Sequence, residues 1–268
     1  MDRKTQRIGV ISMSIIKEFQ RDKLKVKVFD NRISMGASAA IEAADLIKRL
    51  LNRKNEINIV FAAAPSQNDF LEALIDMKGI DWNCINAFHM DEYIGLEPSA
   101  PQSFGNFLKA KIFDKVKFKS INYINGNDED VQMECKRYSK LISCNDIDIV
   151  FMGIGENGHI AFNDPHVALF NDKEIVKAVE LDEKCRKQQV NDGCFTSMEA
   201  VPTHALTLTI PALFSGKHIF CIVPAKTKAE AVYNTINGDI TEACPASILR
   251  RHDKAVLYAD TDSASLLI

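Results

Sequence analysis

The sequence carries no excess of charge: 33 Lys and Arg stand against 36 Asp and Glu, a formal −3 at pH 7. That balance leaves no global electrostatic footprint for nucleic acid or an anionic membrane. A local basic pocket would still be enough for a small anionic substrate. No apolar run approaches the ~20 residues that span a bilayer. The opening MDRKTQRIGV is charged and lacks the apolar core of a signal peptide. The cysteines (Cys84, Cys135, Cys144, Cys185, Cys194, Cys221 and Cys244) are odd in number, scattered and without a C-x-x-C pair. A disulfide framework or a zinc site is therefore not expected. With 12 Gly, 8 Pro and 46% hydrophobic residues, the chain is neither collagenous, disordered nor coiled-coil. No repeat, linker or long charge block divides it. The expectation is a cytoplasmic chain forming one α/β domain over residues 1–268, with residues 1–23 set apart as a peripheral N-terminal segment.

What is present is an alternation of short β-rich runs with longer helical ones. Strands are predicted at 24–30, 57–64, 83–90, 147–155, 217–224 and 254–260, and helices at 33–51, 66–77, 101–113, 129–143 and 225–238. The helix at 66 opens with Ser-x-x-Asp, a capping-box-like start. This order implies a mostly parallel sheet with helices on both faces, a Rossmann-like three-layer architecture. In such sheets ligands gather in the loops at the carboxyl ends of the strands.

Four of those loops carry chemistry. The third strand runs into Asp91-Glu92-Tyr93, where the two acids are either a solvated turn or a general base at a strand end. The loop Gly153-Ile154-Gly155-Glu156-Asn157-Gly158-His159 contains a literal G-x-G-x-x-G. The following Phe162-Asn163-Asp164-Pro165 forbids the long helix a dinucleotide pyrophosphate requires. What remains is a glycine turn displaying His159 and Asp164, either structural or a site. In Ala62-Ala63-Ala64-Pro65-Ser66-Gln67-Asn68, helix amides and the Ser66 hydroxyl suit a phosphate, or Ser66 merely caps its helix. Lys228, at a helix start, opposes the helix dipole and so points to an anion nearby.

These loops resemble the glucosamine-6-phosphate deaminase (isomerase) family, which shares its fold with the 6-phosphogluconolactonases. The resemblance is carried by FHMDEYIGL (88–96), SFGNFL (103–108), FMGIGENGHIAFNDP (151–165), HALTLTIPAL (204–213) and the stretch 228–260. It implies an aldose–ketose isomerisation coupled to deamination of a phosphosugar, without metal or cofactor. It also leaves a homo-oligomer open. Asp91 matches the base moving the proton between C2 and C1. His159 matches the ring-opening catalyst, Asp164 the carboxylate that orients it, and Lys228 a phosphate-binding lysine. The phosphate-side set is then Ser66, Gln67, Asn68 and Lys228.

The sequence departs from the family pattern in three places. An Asp two residues before the catalytic His is Asn157 here, which supplies no charge. Asn157→Asp is then expected to change the rate little, or to move the pH optimum upward, because an anion raises an imidazole pKa. The Gly- and Thr-rich phosphate loop reads AAAPSQ. A phosphate-binding Arg expected near residues 191–195 is absent, and Arg186 is the nearest replacement. The rival expectations are a deaminase for another hexosamine phosphate, a phosphosugar lactonase, and a non-catalytic sugar-phosphate sensor.

Overall fold

The structure is a computed structural model and describes residues 15–268. The charged N-terminal stretch lies outside the described residues. In chain order the elements begin with β1 (Ile15–Arg21), β2 (Leu24–Phe29), α1 (Arg32–Leu51), β3 (Ile57–Phe61), α2 (Asn68–Ile75), β4 (Ile85–His89) and β5 (Asp91–Tyr93). There follow α3 (Phe104–Leu108), β6 (Ser120–Asn122), α4 (Val131–Ser143), β7 (Ile149–Met152), β8 (Val176–Glu180) and α5 (Glu183–Asn191). The chain ends through β9 (His204–Leu208), α6 (Ile210–Phe214), β10 (His218–Val223), α7 (Ala229–Asn237) and β11 (Ala255–Asp260).

Eight strands form one sheet in the order β1-β2-β11-β10-β7-β3-β4-β6. All neighbours pair in parallel except the edge pair β1–β2. The α/β expectation holds, and part of the segment set apart as peripheral is this edge strand. The central strands read as unbroken apolar runs because both faces are covered. Along β7, Val150 and Met152 pack with Tyr138 of α4, Leu213 of α6 and Val232 of α7. Ile149 and Phe151 face the opposite core, with Ala39 and Ile47 of α1 and Phe70 of α2. Strand order reverses between β3 and β7, so the loops after those two strands diverge at the switch point where open α/β sheets bind ligands. A second, antiparallel sheet, β5-β9-β8, stands beyond the carboxyl edge.

Several sequence expectations are corrected. The helix expected over 101–113 is α3 followed by a π-helical turn, Lys109–Phe113. Ser66 does not open a capping box. It lies in a 3-10 turn, Pro65–Gln67, ahead of α2, whose N-cap Gln67 makes no side-chain capping bond. Instead, Asp69 is taken by Arg32 at 2.6 Å.

Candidate active site

The backbone holds Asp91 before its side chain does any chemistry. Asp91 begins β5 and pairs with Thr207 in the second sheet. His89, the last residue of β4, is fully buried with its ring between two backbone groups. Its Nε2 accepts from the Ile124 N–H at 2.9 Å, so Nδ1–H donates to the Asp91 carbonyl at 2.9 Å. Burial lowers the His89 pKa, which suits this neutral tautomer. Glu92 is not a solvated acid either. Its carboxylate accepts the N–H groups of Tyr93, Phe104 and Gly105 and the Ser103 hydroxyl, all within 3.0 Å, and so sits on the N-terminus of α3. The Asp91 carboxyl accepts no comparable donor among the described residues and faces the cleft. Burial, with the Glu92 charge behind it, pushes Asp91 well above the usual carboxylate range.

Across the same cleft the loop after β7 folds back to present His159. Gly155 N–H donates to the His159 carbonyl at 2.9 Å, and Gly158 turns the chain at φ +86°. The imidazole lies directly over Gly155, where a Cβ would stand 2.2 Å from the ring. Only glycine fits there. His159 Nδ1 is 2.8 Å from Asp164 Oδ1. Nδ1 makes no well-formed hydrogen bond, so the contact counts as an ion pair whenever the ring is protonated. Burial alone would raise the Asp164 pKa. The His159 charge and contact, the Asn157 amide and the Asp182 N–H together outweigh it and bring Asp164 to about 2. The stability this carboxylate adds is complete above its unfolded value of ~4 and is lost as pH falls through about 2.

One part of the cleft lining is suited to an anion. Lys228 closes a 3-10 turn, Lys226–Lys228, and leads into α7. It is only 4% exposed, yet its Nζ has no hydrogen-bond partner among the described residues. Burial lowers its pKa, against the opposing pull of Asp192 and Glu156. A buried, unpaired ammonium is costly unless a ligand completes it. Ala225, three residues earlier, adopts φ 84°, ψ 145°, a region normally left to glycine, while Asp260 holds its N–H at 3.2 Å. Ser66, Arg32 and Thr227 line the same space.

Asp91, His159, Ser66 and Lys228 are thus brought together in one cleft. Asp164 and Asn157 lie behind His159 rather than in it. Gln67 does not line the cleft. Its buried amide donates to Ile222 O at 3.1 Å and Ser66 Oγ at 3.2 Å, tying the loop after β3 to β10. Asn68 is also off the cleft, with a buried, unpartnered Oδ1. Arg186 also lies off the cleft: its guanidinium donates to the carbonyls of Met198 and Val201, at 2.5 and 3.1 Å. Sequence reasoning missed Arg32, Gln188, Gln189 and Asp192, all of which line the cleft. Arg32 opens α1 three residues after the end of β2, a position in a strand-to-helix connection that could have flagged it. The other three sit on or just beyond the polar helix α5, outside any strand-end loop. Among the described residues, two groups bring metal-type ligand atoms within 4.8 Å of one another: His159, Asp164 and Cys185, and Asp164, His166 and Asp182. Both share Asp164, whose two oxygens already accept the Asn157 amide and the Asp182 N–H.

A cleft that gathers a buried carboxyl, a His–Asp pair and a buried lysine belongs to the class of α/β proteins that hold small anionic metabolites at a strand-order switch. Residues 30–258 match the family described as glucosamine-6-phosphate isomerases/6-phosphogluconolactonase, and the chain belongs to that family. A glucosamine-6-phosphate deaminase of Bacillus cytotoxicus is 34% identical over 221 residues, 82% of each chain. One of Bacillus thuringiensis is 37% identical over 187 residues, 70% of each. Among solved structures, a monomeric glucosamine-6-phosphate deaminase superposes with a TM-score of 0.81 at 32% identity, covering 90% of this chain and 99% of that one. A 6-phosphogluconolactonase of Thermotoga maritima, at 19% identity and a TM-score of 0.73, covers 89% of this chain and 100% of its own and shares the fold. The chain is therefore a sugar-phosphate enzyme of carbohydrate metabolism. Among the described residues no helix is long and apolar enough to cross a membrane.

Proposed function

We propose that the chain converts glucosamine 6-phosphate and water to fructose 6-phosphate and ammonia. His159 moves the proton from O1 to O5 as the ring opens to the aminoaldehyde. Asp91 then takes the proton from C2, and the electron pair passes to the C1 oxygen, which takes up a proton from water, to give an enolamine. Return of the proton to C1 leaves an iminium at C2, to which water adds and from which ammonia departs. Asp164 holds the His159 ring and balances its charge while it carries a proton. Lys228, with Ser66 and Thr227 beside it, takes the phosphate, a cation–anion contact stronger than a neutral one.

The observation that carries this reading is the shared cleft: an upward-shifted carboxyl, a His–Asp pair and a buried ammonium with no hydrogen-bond partner among the described residues. A base whose pKa is raised toward the working pH combines an ionised fraction with proton-transfer driving force. Sequence similarity supports the deaminase over the lactonase, since the named deaminases are 34–37% identical over most of the chain. The test is a parallel assay of the purified chain with glucosamine 6-phosphate and with 6-phosphogluconolactone. Ammonia and ketose phosphate in equal amounts from the first, with no acceleration of hydrolysis of the second, is the expected result. Lactone hydrolysis without ammonia release would replace this reading with the lactonase.

A further inference from the structure

Asn157 was singled out as a missing charge, but its bonding assigns it a different task. The Asn157 carbonyl accepts from the His159 N–H at 3.1 Å, which fixes the orientation of the amide. Its Nδ2 then donates both hydrogens to carboxylates, one to Asp164 Oδ1 and one to Asp182 Oδ2, each at 2.9 Å. Turning the amide over would place its oxygen against two carboxylate oxygens. Asp182 completes the circuit: its N–H donates to Asp164 Oδ2 at 3.2 Å, and its Oδ1 caps α5 by accepting the Cys185 N–H at 2.5 Å. The far end of α5 returns to the same loop, because Gln188 Oε1 accepts the Glu156 N–H at 2.8 Å. Gln188 and Gln189 then reach the cleft.

We propose that Asn157 and Asp182 are a positioning pair: the amide joins the carboxylate of the His159 dyad to the head of α5, and Asp182 supplies near the dyad the negative charge that Asn157 lacks. Neither side chain lines the cleft, so both act through Asp164 and the helix. The pair rests on the deaminase reading only for its catalytic consequence. Its geometry stands without that reading. The pair also revises the expectation for Asn157→Asp. A carboxylate at 157 would face Asp164 and Asp182 with no proton between them. The other titratable groups around it are His159 and His166 from the same loop and Cys185 from α5.

The experiment is a double-mutant cycle of Asn157→Asp and Asp182→Asn, with Asn157→Ala as the uncharged control. Thermal midpoints of the free protein are taken from pH 5 to pH 8. A third carboxylate in this cluster has a folded-state pKa above its unfolded one, so its stability is kept at low pH and lost as pH rises through the folded value. The Asn157→Asp deficit should therefore widen toward pH 8, shrink by half or more when Asp182→Asn is added, and stay flat with pH in Asn157→Ala. In turnover of glucosamine 6-phosphate, Asn157→Asp should lower kcat several-fold with little change in KM, and Asp182→Asn should return part of it. A pH-independent deficit, or strictly additive effects of the two substitutions, would overturn the pair. Absence of ammonia release from the wild type would instead overturn the proposed function, with the thermal cycle still deciding the pair.

Discussion

Asp91→Asn is expected to lower turnover of glucosamine 6-phosphate by ~10²–10⁴-fold, the usual cost of losing a general base, while the protein folds normally. The substitution keeps the size and polarity of the side chain and leaves the backbone carbonyl that His89 holds untouched. It also removes an ionisable group from a buried place where the Glu92 charge already disfavours the anion. The melting temperature should hold or rise. The same carboxyl should set the acid limb of the wild-type pH profile. As a base it works only when ionised, and its pKa is raised, so kcat/KM should climb with pH across a limb well above the ordinary ~3.9 of an Asp. Kinetics across pH with both proteins check this. A folded Asp91→Asn enzyme with near-wild-type turnover would remove Asp91 from the chemistry.

Lys228→Met should show the opposite signature, a loss of binding with no loss of stability. A hydrogen bond to a charged group contributes ~1.5–3 kcal/mol, which corresponds to roughly a 10- to 150-fold fall in kcat/KM for the phosphosugar, most of it in KM. Binding of unphosphorylated glucosamine should change little. In the free protein the variant replaces a buried ammonium without a partner by an apolar chain of similar length, so its melting temperature should equal or exceed the wild type's. Inorganic phosphate should raise the melting temperature of the wild type and not of the variant. Equal losses for phosphorylated and unphosphorylated sugars would mean that Lys228 does not read the phosphate.

How much was legible before the fold was known follows from the physics of each element. The doubly covered strands announce themselves, because residues such as Ile149 to Met152 are apolar at every position when both faces are buried. The three-residue strands β5 and β6 offer no period to detect. Helix α5, EKCRKQQVN, is held by its Asp182 cap and by tertiary bonds rather than by an apolar stripe. With α5 unseen, the residues it lends to the cleft were unseen too. Asp91, His159 and Lys228 could be singled out because each lies in a segment that follows a strand of the main sheet. The role of Asn157 could not be read from the sequence. Its hydrogen-bonding partner Asp182 lies 25 residues away, and only the fold joins them.

The most direct measurement is a structure of the protein with 2-amino-2-deoxyglucitol 6-phosphate, the reduced open-chain form of the proposed substrate, which cannot isomerise. The phosphate should lie within hydrogen-bonding distance of Lys228 Nζ and against Ser66 and Thr227. C1 and C2 should lie beside the Asp91 carboxylate, with the C5 oxygen toward His159. That arrangement would join the buried ammonium to the acid–base groups through a single ligand, as the proposed reaction requires. A phosphate seated at the Asp91 and His159 end, or a ligand bound outside this cleft, would contradict it.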